Sequence, residues 1–391
     1  MYNFDKIYNR KETNCHKWDK AKQIYKLQDD TDFLPMWVAD MDLPIANEII
    51  HAMQQRLQHP IFGYSFTPSE LNKSIVQWYK SRYEWDFKED DIVFHEGVIP
   101  AIVSIIETFT VEGDAICISS PVYAPFDSIP KGLNRQVLRC PLIEEEGKYQ
   151  YDFDLLEAMF KQAKLYILCN PHNPGGIVWD EQTLSKIIEL AALHDVLILS
   201  DEIHADITFN KRYIPLQSLN NAHKAKIITC IAPTKTFNLA SLHVAMMVPS
   251  NLSLNQQLQK EAITKGRFSN NEFGYIAALA AYTQGEQWLQ EVLAYIDKNI
   301  EYAVEQLNLI EGIRVSKPEG TYLLWIDYRD TGFNEETMFE QLIKIGKIGL
   351  EKGSKFGPEG NGFLRMNVAC PKAYVEEAVQ RFQKVITTVT Q

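Results

Sequence analysis

Three apolar runs that each break off at a polar residue constrain this chain more than anything else in it. Leu165 to Cys169 leads into NPHNPGG and Asn173, and Val196 to Leu199 leads into SDEIHAD and Asp201. Ile227 to Ile231 stops at Pro233, before a polar turn carrying Thr234, Lys235 and Thr236. Short apolar runs bounded by Gly, Pro or Asn read as buried strands. The interval from Asn173 to Asp201 is 28 residues, and the helix-patterned stretch Glu181 to His194 lies inside it. That spacing suits one strand, one helix and a second strand with short connections. Strands joined in this way run parallel, and open α/β sheets bind ligands at the carboxyl ends of such strands. The predicted fold is therefore α/β, with an amide, an acid and a lysine brought to one edge of a mostly parallel sheet.

A lysine in that position has two readings. It is a surface residue of a turn, or it points into a cleft where loss of water favours the neutral amine and prepares a Schiff-base nucleophile. Asn173 and Asp201 favour the cleft. Pyridoxal phosphate needs a lysine for its imine, an acid on the pyridinium nitrogen to keep the ring an electron sink, and a donor to the phenolic oxygen. Lys235, Asp201 and Asn173 supply those three groups.

Taken together, NPHNPGG, SDEIHAD and PTKTFNLA resemble the pyridoxal-phosphate enzymes of the aspartate-aminotransferase fold, fold type I, in the class I/II aminotransferase family. Three stretches are more similar to its branch of MalY/PatB-type cystathionine β-lyases, or C-S lyases: DEIHAD at 201–206, PMWVADMD at 35–42 and HPIFGY at 59–64. The resemblance runs from near Asn14 to the C-terminal helix. It implies a large domain, 46–285, with a mostly parallel seven-stranded sheet between helices, and a smaller α+β domain made of 1–45 and 286–391. It also implies pyridoxal 5'-phosphate, an amino-acid substrate, and a homodimer with a shared active site. One departure stands out. The general aminotransferase pattern has glycine where Ser241 stands and a phosphate-gripping arginine where His243 stands. Much of the lyase branch lacks that arginine too, and Thr234 and Thr236 are then the hydroxyl donors left for the phosphate.

The resemblance also implies roles along the chain. Trp37 and Ala39 would lie close to the substrate, although Trp37 reads equally well as core. Tyr64, in a Gly-centred turn after the helix 46–58, would reach the cofactor phosphate of the neighbouring subunit and touch the substrate there, or else is a packed aromatic. Gly97, before a long apolar helix, would offer the N–H groups of Val98 and Ile99 to a phosphate, aided by the helix dipole. Tyr123 would stack on the cofactor ring and shuttle protons, or is a structural tyrosine. His204 would orient Asp201 or adjust its charge, and Asp206 reads as structural. Arg365 stands in a strand between Leu364 and Met366, where a guanidinium needs a partner. Arginine suits bidentate capture of a carboxylate, and the resemblance gives it the substrate's α-carboxylate; a salt bridge is the alternative.

Elsewhere the pattern is helix at 71–83 and 153–162, strands at 115–123 and 135–142, and a solvated connection through EEEGKYQYD. Ala277, Ala278, Ala280 and Ala281 suit a closely packed helix, and Val292, Leu293, Ile296, Ile300, Val304 and Leu307 recur at helical spacing in a long connector. Beyond it come a hairpin-like pair of strands, the strand of Arg365 and a last amphipathic helix.

Of the 391 residues 46% are hydrophobic, and the net charge of −12 comes without a basic run, which argues against nucleic acid or an anionic membrane surface. The six cysteines show no metal-site or C-x-x-C spacing and read as free thiols; no metal is expected. The polar first residues and the lack of a long apolar stretch lead us to expect a cytoplasmic protein without signal peptide or membrane span. The activity these signs imply is β-elimination on an S-substituted cysteine, giving a thiol such as homocysteine, pyruvate and ammonia. An amino-acid aminotransferase uses the same first steps and is the second reading. A regulatory protein working through protein contacts is the third.

Overall fold

The computed structural model describes residues 2–267 and 271–389. Phe268, Ser269 and Asn270, which lie before the alanine-rich helix, fall outside the described residues. Seven strands make the central sheet: β1 (Val93–His95), β2 (Ala115–Ser120), β3 (Gln136–Pro141), β4 (Ala163–Cys169), β5 (Leu197–Asp201), β6 (Ile227–Ile231) and β7 (Ala245–Pro249). Their spatial order is β1-β7-β6-β5-β4-β2-β3. Only β7 runs antiparallel to its neighbours; the other pairs are parallel.

The sequence explains why this sheet is covered on both faces. Successive side chains of a strand point to opposite sides. Tyr166, Ile198 and Ile227 enter one core cluster, with Phe160, Leu184 and Ile188, while their neighbours Ile167, Leu199 and Ile228 enter another, with Ile102, Ile105 and Ile118. Continuous apolar strands therefore need helices above and below. These include α1 (Val98–Phe109) and α2 (Glu181–Leu193). Asp180 starts α2 by accepting the Thr183 N–H at 2.8 Å.

A second sheet, entirely antiparallel, has the order β8-β9-β11-β10, from β8 (Arg314–Val315), β9 (Leu323–Asp327), β10 (Glu351–Lys352) and β11 (Phe363–Asn367). Helices α3 (Glu272–Gln284), α4 (Glu286–Leu307) and α5 (Lys372–Val389) complete the chain. Val292, Ile296 and Ile300 of α4 and Val375, Phe382 and Val385 of α5 pack in one cluster with Leu324, Ile326, Leu364 and Met366 of this sheet. The helical spacing had placed these residues on buried faces, and they lie there. The N-terminal arm joins the same part of the molecule. Leu34–Pro35 pairs in parallel with Ile348–Gly349, and Phe4 and Trp18 are buried.

Three local expectations change. The polar turn after β6 is a single helical turn, Pro233–Thr236, with proline at its start. The connection after β3 is a hairpin, Ile143–Glu145 with Lys148–Gln150, rather than solvated coil. Glu145 and Glu146 face water, whereas Glu144 pairs with Arg329 at 2.8 Å, and its cross-strand partner Tyr149 is buried and accepts the Trp325 indole N–H at 2.9 Å. The polar arm also conceals a buried cation, Lys17, which is 1% exposed. Five cysteines are buried, Cys15 is half-buried, and all six are free thiols. Among the described residues, no helix is long and apolar enough to cross a membrane, and no group of His, Cys, Asp or Glu could hold a metal ion.

Candidate active site

Strand register brings the three polar strand ends to one level. Cys169 pairs with Asp201, and Asp201 with Cys230, so β4, β5 and β6 open onto a single cavity of about 470 Å³. Its walls include Asn173, Asp201, Lys235, Tyr123, His204 and Arg365, together with Gly97, Val98 and Ile99 from the start of α1 and with Thr234 and His243.

Lys235 is fixed from behind and aimed forward. The Thr236 hydroxyl donates at 2.9 Å to Asp206, which also accepts the Trp78 indole N–H at 3.0 Å and the Tyr83 hydroxyl at 2.5 Å. Thr236 is thus turned away from the cavity and is not the phosphate donor the sequence suggested, whereas Thr234 lines the wall. On the cavity side Lys235 Nζ donates to the Ala39 carbonyl. Desolvation pulls this amine from 10.5 down to about 8, against the opposing pull of Asp40 and Asp201.

Asp201 is 5% exposed, and burial lifts its carboxyl from 3.8 to about 6 although the Ile203 N–H donates to it at 3.1 Å. His204 had been expected to orient this carboxylate or adjust its charge; the hydrogen bonds bear on the first. The Ile203 amide orients it instead, and among the described residues His204 makes no hydrogen bond to Asp201. Its imidazole stands edge-on to Tyr322, with ring centroids 6.1 Å apart, and Nδ1 is buried without a partner. Burial, helped by Lys235 and Arg365, holds it neutral, from 6.5 down to about 3.

Arg365 is 4% exposed. It donates to Asn173 Oδ1 at 3.1 Å and to the Trp37 carbonyl at 2.9 Å, and its guanidinium lies 4.8 Å from the centre of the Phe356 ring. Glu351 is 4.0 Å away, too far for a tight salt bridge, and Nε has no partner. Trp37 belongs both to a small core cluster and to the cavity wall. Its indole packs with Tyr25 and Phe33 while its main chain lines the cavity. Tyr123 stands in the wall between the strand ends, its phenol pushed up by burial. Val98 and Ile99 open α1, so their N–H groups have no partner within the helix. His243 is exposed at the rim with a left-handed backbone, φ 51°. Tyr64 lies apart from the cavity, fully exposed, beside exposed Ile61, Phe62 and Phe66.

Sequence reasoning missed Asp40, Lys17 and Glu351. The two acids of PMWVADMD were the available signal for the first two, since a pair of acids in an apolar segment asks for cations.

The two sheets and this cavity define a pyridoxal-phosphate-type fold. The chain belongs to the aminotransferase class I and II family, whose model matches residues 32–382. Within it, cystathionine β-lyase PatB of Bacillus subtilis (strain 168) is 36% identical, the match covering 98% of this chain and 100% of PatB. The structure of cystalysin from Treponema denticola, which contains pyridoxal 5'-phosphate, superposes with a TM-score of 0.96 at 31% identity, over the full length of both chains. A PLP-bound protein of Clostridium difficile 630, provisionally called an aminotransferase, gives a TM-score of 0.96 at 40% identity, over 99% of this chain and 100% of its own.

Proposed function

We propose that this protein is a pyridoxal-phosphate-dependent carbon–sulfur β-lyase that cleaves L-cystathionine or related cysteine S-conjugates to a thiol, pyruvate and ammonia. The observation that carries this reading is the convergence of two lyase-branch motifs on one amine. DEIHAD supplies Asp201 in the wall and Asp206 behind the lysine turn, and PMWVADMD supplies the carbonyls that meet Lys235 and Arg365. The full-length likeness to PatB supports it.

The donor set fits the cofactor. A lysine amine brought near neutrality, a buried carboxylate, and helix N–H groups in the cavity wall are what its aldehyde, pyridine nitrogen and phosphate require. Lys235 would hold the aldehyde carbon, Asp201 the ring nitrogen, Asn173 the phenolic oxygen and Tyr123 the ring face. Val98, Ile99, Thr234 and His243 would hold the phosphate. When bound, the cofactor supplies a sink for the electron pair left at Cα. Arg365 grips the α-carboxylate, its free Nε and two terminal nitrogens offering a planar fork. Once the substrate's amino group had displaced it from the aldehyde carbon, Lys235 Nζ would take the α-proton as general base; the Cβ–S bond would break, the thiolate departing with a proton available from the Tyr123 phenol, and the unsaturated amine left behind would take up water to give pyruvate and ammonia.

The assembly we propose is a homodimer in which Tyr64 serves the partner's cofactor phosphate. That role agrees with an exposed tyrosine among exposed apolar residues. We take 46–285 as the large domain and 1–45 with 286–391 as the small one, and the free buried thiols fit a reducing cytoplasm. The deciding experiment incubates the purified yellow protein with L-cystathionine and no keto acid. Pyruvate and free thiol in equal amounts, lost in Lys235→Ala, are the expected result. If neither forms, and the absorbance moves to a pyridoxamine band that a keto acid reverses, the activity is transamination.

A further inference from the structure

Each main-chain carbonyl from Trp37 to Met41 accepts a side-chain donor. Arg365 takes that of Trp37, Asn367 those of Val38 and Asp40, Lys235 and Tyr322 that of Ala39, and Asn238 that of Met41. Residues 37–42 thus form a strap across the cavity, held by the same cations that would handle cofactor and substrate. Its other side rests on Lys17. The Lys17 ammonium lies 2.7 Å from Asp42 and 3.0 Å from Asp40, and it donates to the Asp40 carbonyl at 3.2 Å. Arg10 completes the cluster, 2.6 Å from Asp42 and 2.7 Å from Asp40. The clasp is reciprocal, because the Trp37 indole donates back to the Lys17 carbonyl at 3.2 Å.

A buried ammonium is costly unless its partners are well placed, and no step of the proposed reaction uses this one. We propose that Lys17 is a positioning residue: it fixes the strap so that the Ala39 and Trp37 carbonyls meet Lys235 and Arg365, and it neutralises Asp40 at the cavity edge. The inference rests on the cofactor reading and is independent of whether the chemistry is elimination or transamination. The charged and titratable groups around Lys235 are Asp40, Arg365, Asp201, Lys17 and His204, with the phenols of Tyr322 and Tyr123, which burial pushes up and so keeps protonated. Asp40 favours the protonated amine and Lys17 opposes it. With Arg10, the two acids and two cations balance. Removing either partner of the inner pair therefore leaves a net charge beside Lys235, of opposite sign in the two cases.

The test is a pH titration of the visible absorbance of the cofactor-loaded protein without substrate, in wild type, Lys17→Met, Lys17→Arg and Asp40→Asn. The midpoint is expected to rise in Lys17→Met and fall in Asp40→Asn, each by on the order of one pH unit, and to stay near wild type in Lys17→Arg. A merely structural lysine would change loading or melting temperature and leave the midpoint in place. Should Lys17→Met fail to fold, Lys17→Gln, which keeps a hydrogen-bond donor beneath the strap and loses only the charge, takes its place and is expected to give the same upward shift. Unmoved midpoints, or shifts of the same sign in Lys17→Met and Asp40→Asn, overturn the proposal. Failure of cystathionine cleavage with these shifts intact would instead count against the lyase reading.

Discussion

Replacing Arg365 with lysine keeps the positive charge and removes the fork. The guanidinium spans two acceptors, Asn173 Oδ1 at 3.1 Å and the Trp37 carbonyl at 2.9 Å, with Nε unpartnered. A single ammonium cannot hold a carboxylate through two parallel N–H groups, so one charge-assisted hydrogen bond to the substrate is lost. Such a bond contributes about 1.5–3 kcal/mol, which corresponds to a roughly tenfold to hundredfold rise in KM. The carboxylate does not change charge during elimination, so the loss falls equally on ground and transition states and kcat stays within about twofold. Continuous assay of pyruvate from L-cystathionine measures both constants. An unchanged KM, or a fall confined to kcat, would refute the assignment of Arg365 to the substrate carboxylate.

Three further outcomes are expected. Asp206→Ala strands the donors of Trp78, Tyr83 and Thr236 and should cost about 3–5 kcal/mol in urea unfolding, whereas Asp206→Asn keeps a carbonyl acceptor and should cost about 1–2 kcal/mol. If the site is shared, Lys235→Ala and Tyr64→Ala chains, each inactive alone, should recover activity when refolded together, because a mixed dimer has one intact site; no recovery means Tyr64 acts elsewhere. His204, His172 and His95 are held neutral by burial, from 6.5 down to about 3, 3 and 4. Below pH 6.5 the unfolded chain binds protons that the folded chain refuses, so stability falls with pH; at pH 5 each histidine costs about 2 kcal/mol. Melting temperature should therefore drop between pH 7.5 and 5, by less in His204→Asn, and equal drops would contradict the account.

What could be read in advance was what is written locally. Apolar runs punctuated by Asn, Asp and Pro marked β4, β5 and β6 and the residues at their ends, because burial on both faces leaves no alternation to misread. Arg365 was conspicuous as a cation between apolar strand neighbours. Lys17 and Arg10 were hidden because their partners lie 23 to 32 residues away, and a polar arm looks the same whether its cations meet water or carboxylates. The hairpin after β3 was obscured because acidic residues stand on both of its faces, Glu145 on one and Glu144 beside buried Tyr149 on the other, so no apolar alternation marks it. Thr236 could not be told from Thr234 because the direction of a hydroxyl within one helical turn is set by Asp206, 30 residues earlier.

The distribution of thiols makes the N-terminal arm chemically addressable. Burial pushes Cys117, Cys140, Cys169, Cys230 and Cys370 above the ordinary thiol range, which keeps them from the thiolate form; Cys169, in the cavity wall, is the one of these five that a filled cavity also shields. Cys15 is the one half-buried cysteine, two residues before the lysine beneath the strap. A maleimide dye is therefore expected to label the folded wild-type chain first at Cys15. Its emission would report, without any engineered cysteine, how firmly the arm stays seated as the cavity fills.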